Sequence, residues 1–257
     1  MSRYVQCEAP AIQPVSKGHG MKAMIAITAT LMLAGCASHG TVASSAASCA
    51  KPGADQELAL NLADDMANEG RLYASLANLE RLPEDLVQVR LRKARVLRLM
   101  GRSEAEPLYK SLLGTCLAAD GEHGLGQLAA AKNDNANATE HLERAAKMAP
   151  TEGKIRNDLG VVYLNQKRIP QARFEFMTAM ELQQSNTLAA LNMVTLLIYQ
   201  DNWKQAAELA SMAKLSPQQV ADAQARAEKI RGSAGNATTS QSNRLTEVVD
   251  ASTGAVK

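Results

Sequence analysis

The chain has 257 residues, is 46% hydrophobic but only 3% aromatic, and carries a formal net charge of +2. That length accommodates one or two globular units, and a core so poor in rings must be built from Ala, Leu, Met and Val, which suits close-packed helices better than sheets. The near-balance of 28 basic and 26 acidic residues excludes an electrostatic case for nucleic acid as a partner.

Residues 1–20 contain Pro10 and Pro14 and show no periodicity; they form an extended leader or precede the true start at Met21. Met21-Lys22 opens an export signal, followed by an uncharged apolar stretch from Ala23 to Leu33. A bilayer-spanning helix needs about 20 apolar residues, so this stretch is signal-peptide length. It ends in Leu33-Ala34-Gly35-Cys36, which resembles the lipobox of bacterial lipoproteins. The resemblance implies cleavage after Gly35 and acylation of Cys36, and Ala37 at the next position implies sorting to the outer membrane. Removal of residues 1–35 takes Arg3, Lys17, Lys22 and Glu8 and leaves a formally neutral chain. The alternatives are an ordinary secretory signal with a chance cysteine, or a buried helix.

Residues 36–53 are rich in Ala, Ser, Thr and Gly and read as a lipidated tether. Cys49 lies within it. Cys49 and Cys116 are the two cysteines outside the export region, and a bond between them is open but not expected. From residue 54 to 231 the pattern is helical. Asp55–Asn68 and Leu72–Leu82 form one expected pair, and Leu86–Met100 and Glu104–Leu113 a second, with a turn at Gly101-Arg102 that is a residue short. A period then becomes clear. Ala105, Ala138, Ala172 and Ala206 are separated by 33, 34 and 34 residues, and Ala145, Ala179 and Ala213 by 34 and 34. Such spacing marks stacked helix-turn-helix units. The clearest unit, from Lys154 to about Asn186, holds Leu159-Gly160, Tyr163, Ala172, Phe176 and Ala179, and it resembles the tetratricopeptide repeat (TPR) at each of those places. Small residues at Gly126, Gly160, Ala172 and Ala179 let helices cross closely, while Tyr163 and Phe176 fill the space beside them. A last helix from Pro217 to Ile230 caps the array. Residues 232–257 read as a disordered tail, whose apolar pair Val248-Val249 is too little for an element of its own but is a candidate short docking segment. The expected fold is all-α: a right-handed α-solenoid of tetratricopeptide-type pairs between a tether and a tail.

A narrower resemblance rests on the lipobox, Leu60-Asn61-Leu62-Ala63-Asp64, Gly101-Arg102 with Ala105-Glu106, Gly124-Leu125-Gly126 and Arg156-Asn157-Asp158-Leu159-Gly160. Together these are similar to the TadD-type tetratricopeptide lipoproteins of the tight-adherence (Flp pilus) assembly system, over roughly Cys36 to Leu215. That resemblance implies a periplasm-facing outer-membrane lipoprotein acting as a scaffold or pilotin, with the pilus secretin or another assembly protein as partner. A second reading is a general envelope adaptor for peptidoglycan enzymes or outer-membrane protein assembly.

In the register of the repeat, the first helix of each pair lines a groove. This places Arg95, Arg98 and Arg102 on one stripe, at spacings of 3 and 4, continuing through Gln127, Asn157, Val161, Asn192 and Tyr199. Such a stripe can clamp an acidic or extended partner segment; the plainer reading is a solvated face laced with salt bridges. His123, His141 and Cys116 match no metal-ligand spacing, and Met148, Met177, Met180 and Met193 read as gap-fillers in the core. No GxSxG, HExxH or GxxxxGK[ST] motif is present, so no enzyme activity, cofactor, metal or small-molecule substrate is expected.

Overall fold

The computed structural model describes residues 49–183 and 187–232, so the export signal, Cys36 and the tail lie outside the described residues. The described chain forms helices and no strand. They come as successive pairs: α1 (Ala54–Asn68) with α2 (Leu72–Leu79), α3 (Val87–Leu99) with α4 (Ala105–Lys110), and α5 (Ala118–Ala131) with α6 (Asn135–Met148). Then follow α7 (Gly153–Asn165) with α8 (Ile169–Leu182), α9 (Thr187–Tyr199) with α10 (Trp203–Met212), and a single α11 (Pro217–Gly232). Each odd helix packs on its own partner and on the next odd helix, and α11 lies against α9.

One device closes every pair. The residue two beyond the first helix of each pair has positive φ: Gly70, Gly101, Asn133, Lys167 and Asp201. Its amide bonds back into the last turn, and the next amide reaches one residue further (Arg71 N to Met66 O at 2.8 Å, Arg168 N to Tyr163 O at 2.8 Å). This is the Schellman closure, which satisfies carbonyls that a helix end leaves bare. Four of the five even helices start two residues after it. Only α4 starts four residues on, at Ala105, so the turn at Gly101-Arg102 is longer than in the other pairs rather than a residue short, and what is short is α4 itself, with 6 residues. It ends at Lys110 rather than Leu113. The Ser111 and Thr115 hydroxyls bond to the Leu108 and Leu112 carbonyls, both at 2.7 Å, and Gly114 lies between them. Likewise α2 stops at Leu79, before the backbone restriction imposed by Pro83.

The periodic alanines mark helix crossings: Ala105, Ala138, Ala172 and Ala206 are all 0% exposed. At the α7–α8 crossing a Cβ on Gly160 would stand 2.6 Å from Phe176 Cε1, so only glycine admits that ring. The core is segmented along the array, as expected when each unit contacts only its neighbours. One cluster joins α1–α3 around Leu60, Leu79 and Val89, a second joins α3–α5 around Leu91, Tyr109 and Leu112, and the largest runs from α6 to α11.

Contrary to the sequence expectation, Cys49 and Cys116 are joined as a disulfide, with Cα atoms 6.0 Å apart. Cys49 packs against the second cluster, and Ala50 O accepts a bond from Gln88 Nε2 at 3.2 Å. The last residues before α1 are therefore part of the folded body.

Candidate groove of the odd helices

Polar side chains link each odd helix to the next. Arg92 of α3 donates to Asp64 of α1 at 2.8 Å, and Arg95 of α3 pairs with Asp120 of α5 at 2.7 Å. From α5, His123 Nε2 and Gln127 Nε2 both lie 2.7 Å from Asp158 Oδ2 of α7. Asn192 Nδ2 of α9 donates to Asn157 Oδ1 of α7 at 2.7 Å, and Arg226 of α11 donates to Asn192 Oδ1 at 2.7 Å. Asn157 Nδ2 donates in turn to Asp158 Oδ1 at 3.2 Å. Arg226, Asn192, Asn157 and Asp158 thus form one chain in which every donor points toward the carboxylate. Burial pulls the Asp158 carboxyl up, but the bonds from His123, Gln127 and Asn157 together hold it below the usual carboxylate range. Burial alone lowers the Arg226 guanidinium, which meets no carboxylate among the described residues.

Beside these links a cavity of about 480 Å³ opens along α1, α3, α5 and the start of α7. Val96, Leu99 and Ile155 give it an apolar floor, and Arg95, Arg98, Gln127 and Lys154 stand among its polar walls. The predicted stripe divides here. Arg95 is in the cavity but bound to Asp120. Arg102 turns to Glu104 at 2.5 Å, and the bond from Arg102 holds the Glu104 carboxyl at about 2. It borders a different cavity of about 440 Å³, floored by Leu76, Leu97 and Leu108 between α2, α3 and α4. Arg98 differs from both. Its Nε donates to Tyr109 Oη at 3.4 Å, and among the described residues it has no carboxylate partner. Tyr109 in turn occupies a notch made by Gly124, where a Cβ would stand 2.1 Å from the ring.

Asn157 and Asn192 are 5% and 2% exposed and bond to each other, so they join helices rather than offer free amides. Val161 is half-buried against the largest cluster. Tyr199 also packs there; its carbonyl accepts from Arg231, whose guanidinium lies 5.9 Å from the Tyr199 ring centre. Cys36 lies outside the described residues. Cys116 is bonded to Cys49, His123 faces Asp158 and His141 faces Glu122 at 2.6 Å, so those three residues do not converge. Sequence reading missed Asp64, Arg92, Asp120, Asp158 and Arg226. One signal was available: Asn157, Asn192 and Arg226 follow one another at 35 and 34 residues, close to the repeat period.

Helix pairs stacked through odd helices, closed by one kind of turn and linked by periodic polar contacts, define a helical-repeat interaction scaffold. No family model matches the chain. It is 42% identical over 208 residues to the TPR repeat-containing protein PA4299 of Pseudomonas aeruginosa PAO1, a match covering 80% of this chain and 85% of that relative. The chain belongs to the tetratricopeptide-repeat proteins. Solved structures similar to it include TTC0263, a thermophilic TPR protein of Thermus thermophilus (TM-score 0.52, 18% identity, 68% of this chain and 98% of that one). Another is PilF of Pseudomonas aeruginosa (TM-score 0.56, 16% identity, 76% and 87%). At such identities the likeness is one of fold. TPR arrays are in general non-catalytic scaffolds that bind proteins or peptides.

Proposed function

We propose that the protein is a lipid-anchored outer-membrane scaffold, of the TadD type, that assists assembly of the tight-adherence (Flp) pilus and holds a segment of the secretin or of another assembly protein. The observation that carries this reading is the lipobox Leu33-Ala34-Gly35-Cys36 standing ahead of a TPR array. Two or more acyl chains on one cysteine give stable anchoring, where a single chain is marginal. The Cys49–Cys116 bond supports an oxidising compartment, since such bonds are rare in the cytosol.

The groove supplies the contact. Arg98 is the arginine best placed to take a partner carboxylate, because Arg95 is engaged by Asp120 and Arg102 by Glu104. Tyr109 steadies Nε and leaves the two terminal nitrogens to make the paired bonds that guanidinium forms with carboxylate. Leu99, 53% exposed on the cavity floor, offers an apolar contact beside it.

Deleting the gene is expected to abolish pili and leave the secretin unassembled. Secretin rings that form and reach the outer membrane without the protein would remove the pilotin role. If instead pili persist and the protein co-purifies with peptidoglycan hydrolases or barrel-assembly proteins, it is a general envelope adaptor. Arg98→Glu is expected to weaken partner capture roughly tenfold or more with the helical content intact, as loss of a desolvated charge pair does. Unchanged capture would discard the groove as the contact.

A further inference from the structure

Asp158 on α7, Asn192 on α9 and Arg226 on α11 follow one another at 34 and 34 residues, the repeat period itself. Along this row the side chain changes from anion to amide to cation. The anion is satisfied, since Asp158 is bonded to His123, Gln127 and Asn157. The cation is not. Among the described residues the Arg226 guanidinium makes one hydrogen bond, from Nη1 to Asn192 Oδ1. Asp222 stands one helical turn back on α11, yet it is bonded by Gln218 at 2.9 Å and forms no ion pair with Arg226. By contrast Arg92, Arg95, Arg144, Arg156 and Arg231 each meet a carboxylate. A half-buried charge left without a counter-charge destabilises a fold, so its presence needs a compensating ligand.

We propose that Arg226, held by Asn192, is a second carboxylate-binding position at the far end of the groove, and that the partner segment is extended and crosses the array from Arg98 to Arg226. This rests on the groove reading above and specifies its ligand. Asn192 fixes one edge of the guanidinium, and Nη2 with Nε remains for paired bonds to a carboxylate. From α3 to α11 there are four steps between odd helices, or roughly 30–40 Å at the usual 8–10 Å between packed axes. An extended chain rises about 3.3 Å per residue, so about ten residues separate the two acidic side chains. The buried amides of Asn157 and Asn192 lie between, bonded to each other, and demand no charge from the segment.

The test uses the full-length protein in detergent micelles and fluorescein-labelled, C-terminally amidated peptides of Ser, Thr and Val. They carry one glutamate, or two separated by about 2, 6, 10 or 14 residues, a series that brackets the extended span. Fluorescence anisotropy is expected to show the peptide with the separation near ten binding roughly tenfold or more tighter than the one-glutamate peptide, as linked contacts do. Arg226→Gln should remove that gain and leave one-glutamate binding unchanged. Equal affinity for one and two glutamates overturns the proposal, as does a gain that survives in Arg226→Gln. A gain greatest at the shortest separation would seat the second carboxylate on Lys154, exposed in the cavity wall, and also overturns it. Arg226→Gln keeps a donor for Asn192 while removing a desolvated charge, so the urea midpoint of the free protein is expected to rise. A lower midpoint would make Arg226 a structural link and overturn the site. The groove reading is judged separately. If Arg98→Gln abolishes binding and Arg226→Gln changes nothing, the groove stands and the second position falls; if no peptide binds, both fall.

Discussion

Lys167 shows how a single backbone angle carries a cost. It sits at φ 61° in the closing turn after α7, where Gly70 and Gly101 stand after α1 and α3. A side chain in that left-handed conformation costs roughly 1–2 kcal/mol, and glycine escapes it. Lys167→Gly is therefore expected to stabilise the protein by about 0.5–1 kcal/mol, read as a higher urea midpoint with an unchanged slope. Gly160 is the opposite case, because its conformation is ordinary and its space is not. Gly160→Ala gains about 1 kcal/mol of helix propensity but drives a methyl into the Phe176 ring. Overpacking of this kind costs typically 1–3 kcal/mol, so a net loss is expected. The pair Gly160→Ala with Phe176→Leu should recover part of that loss.

Between helices the polar links decide how stability responds to acid. The Asp158 carboxyl is held below its usual value of 3.8. A carboxylate depressed in the fold stabilises it above the unfolded value, and that contribution is lost as pH falls through the folded value. The melting temperature is therefore expected to fall steeply below about pH 4. Asp158→Asn should flatten that fall. Part of the slope will remain because Glu122, raised by burial, is carried below the usual range by bonds from Arg144 and His141. An unaltered profile in Asp158→Asn would mean that this carboxylate does not couple folding to protons. The helix pairs were legible in sequence because packing repeats: a crossing that admits only Ala or Gly recurs with the period, as Ala138, Ala172 and Ala206 show. The groove was less legible. Arg95 and Arg102 differ from Arg98 through Asp120 and Glu104, and which carboxylate captures which arginine depends on side-chain reach across helices rather than on spacing along one.

Across the whole molecule, the least legible feature was the disulfide. Its cysteines are 67 residues apart, and one lies in a segment whose composition signals a tether. Only the stacking of the first pairs brings Cys49 and Cys116 together. Closing a loop of that length restricts the unfolded chain by about 4 kcal/mol in the chain-entropy account. Cys116→Ser is expected to lower stability by that order, and the loss should fall on the N-terminal pairs, where α2 and α4 have 8 and 6 residues. Hydrogen exchange would show α1–α4 opening more readily while α7–α11 keep their protection. Uniform loss along the chain would mean that the array unfolds as one cooperative body.

The spacing of the closing turns bears on how such a chain grows. Asn133, Lys167 and Asp201 recur every 34 residues, whereas Gly70, Gly101 and Asn133 are 31 and 32 apart. In the regular half each unit offers the next the same interface, with Asn157 repeated by Asn192 and that residue met by Arg226. A tandem duplication of residues 153–186 would insert a unit whose two faces already match its neighbours. Copying the α3–α4 unit would duplicate an irregular joint, and with it a second Cys116 competing for a single Cys49. The C-terminal half is thus modular material for evolution, while the N-terminal half is committed to its present length.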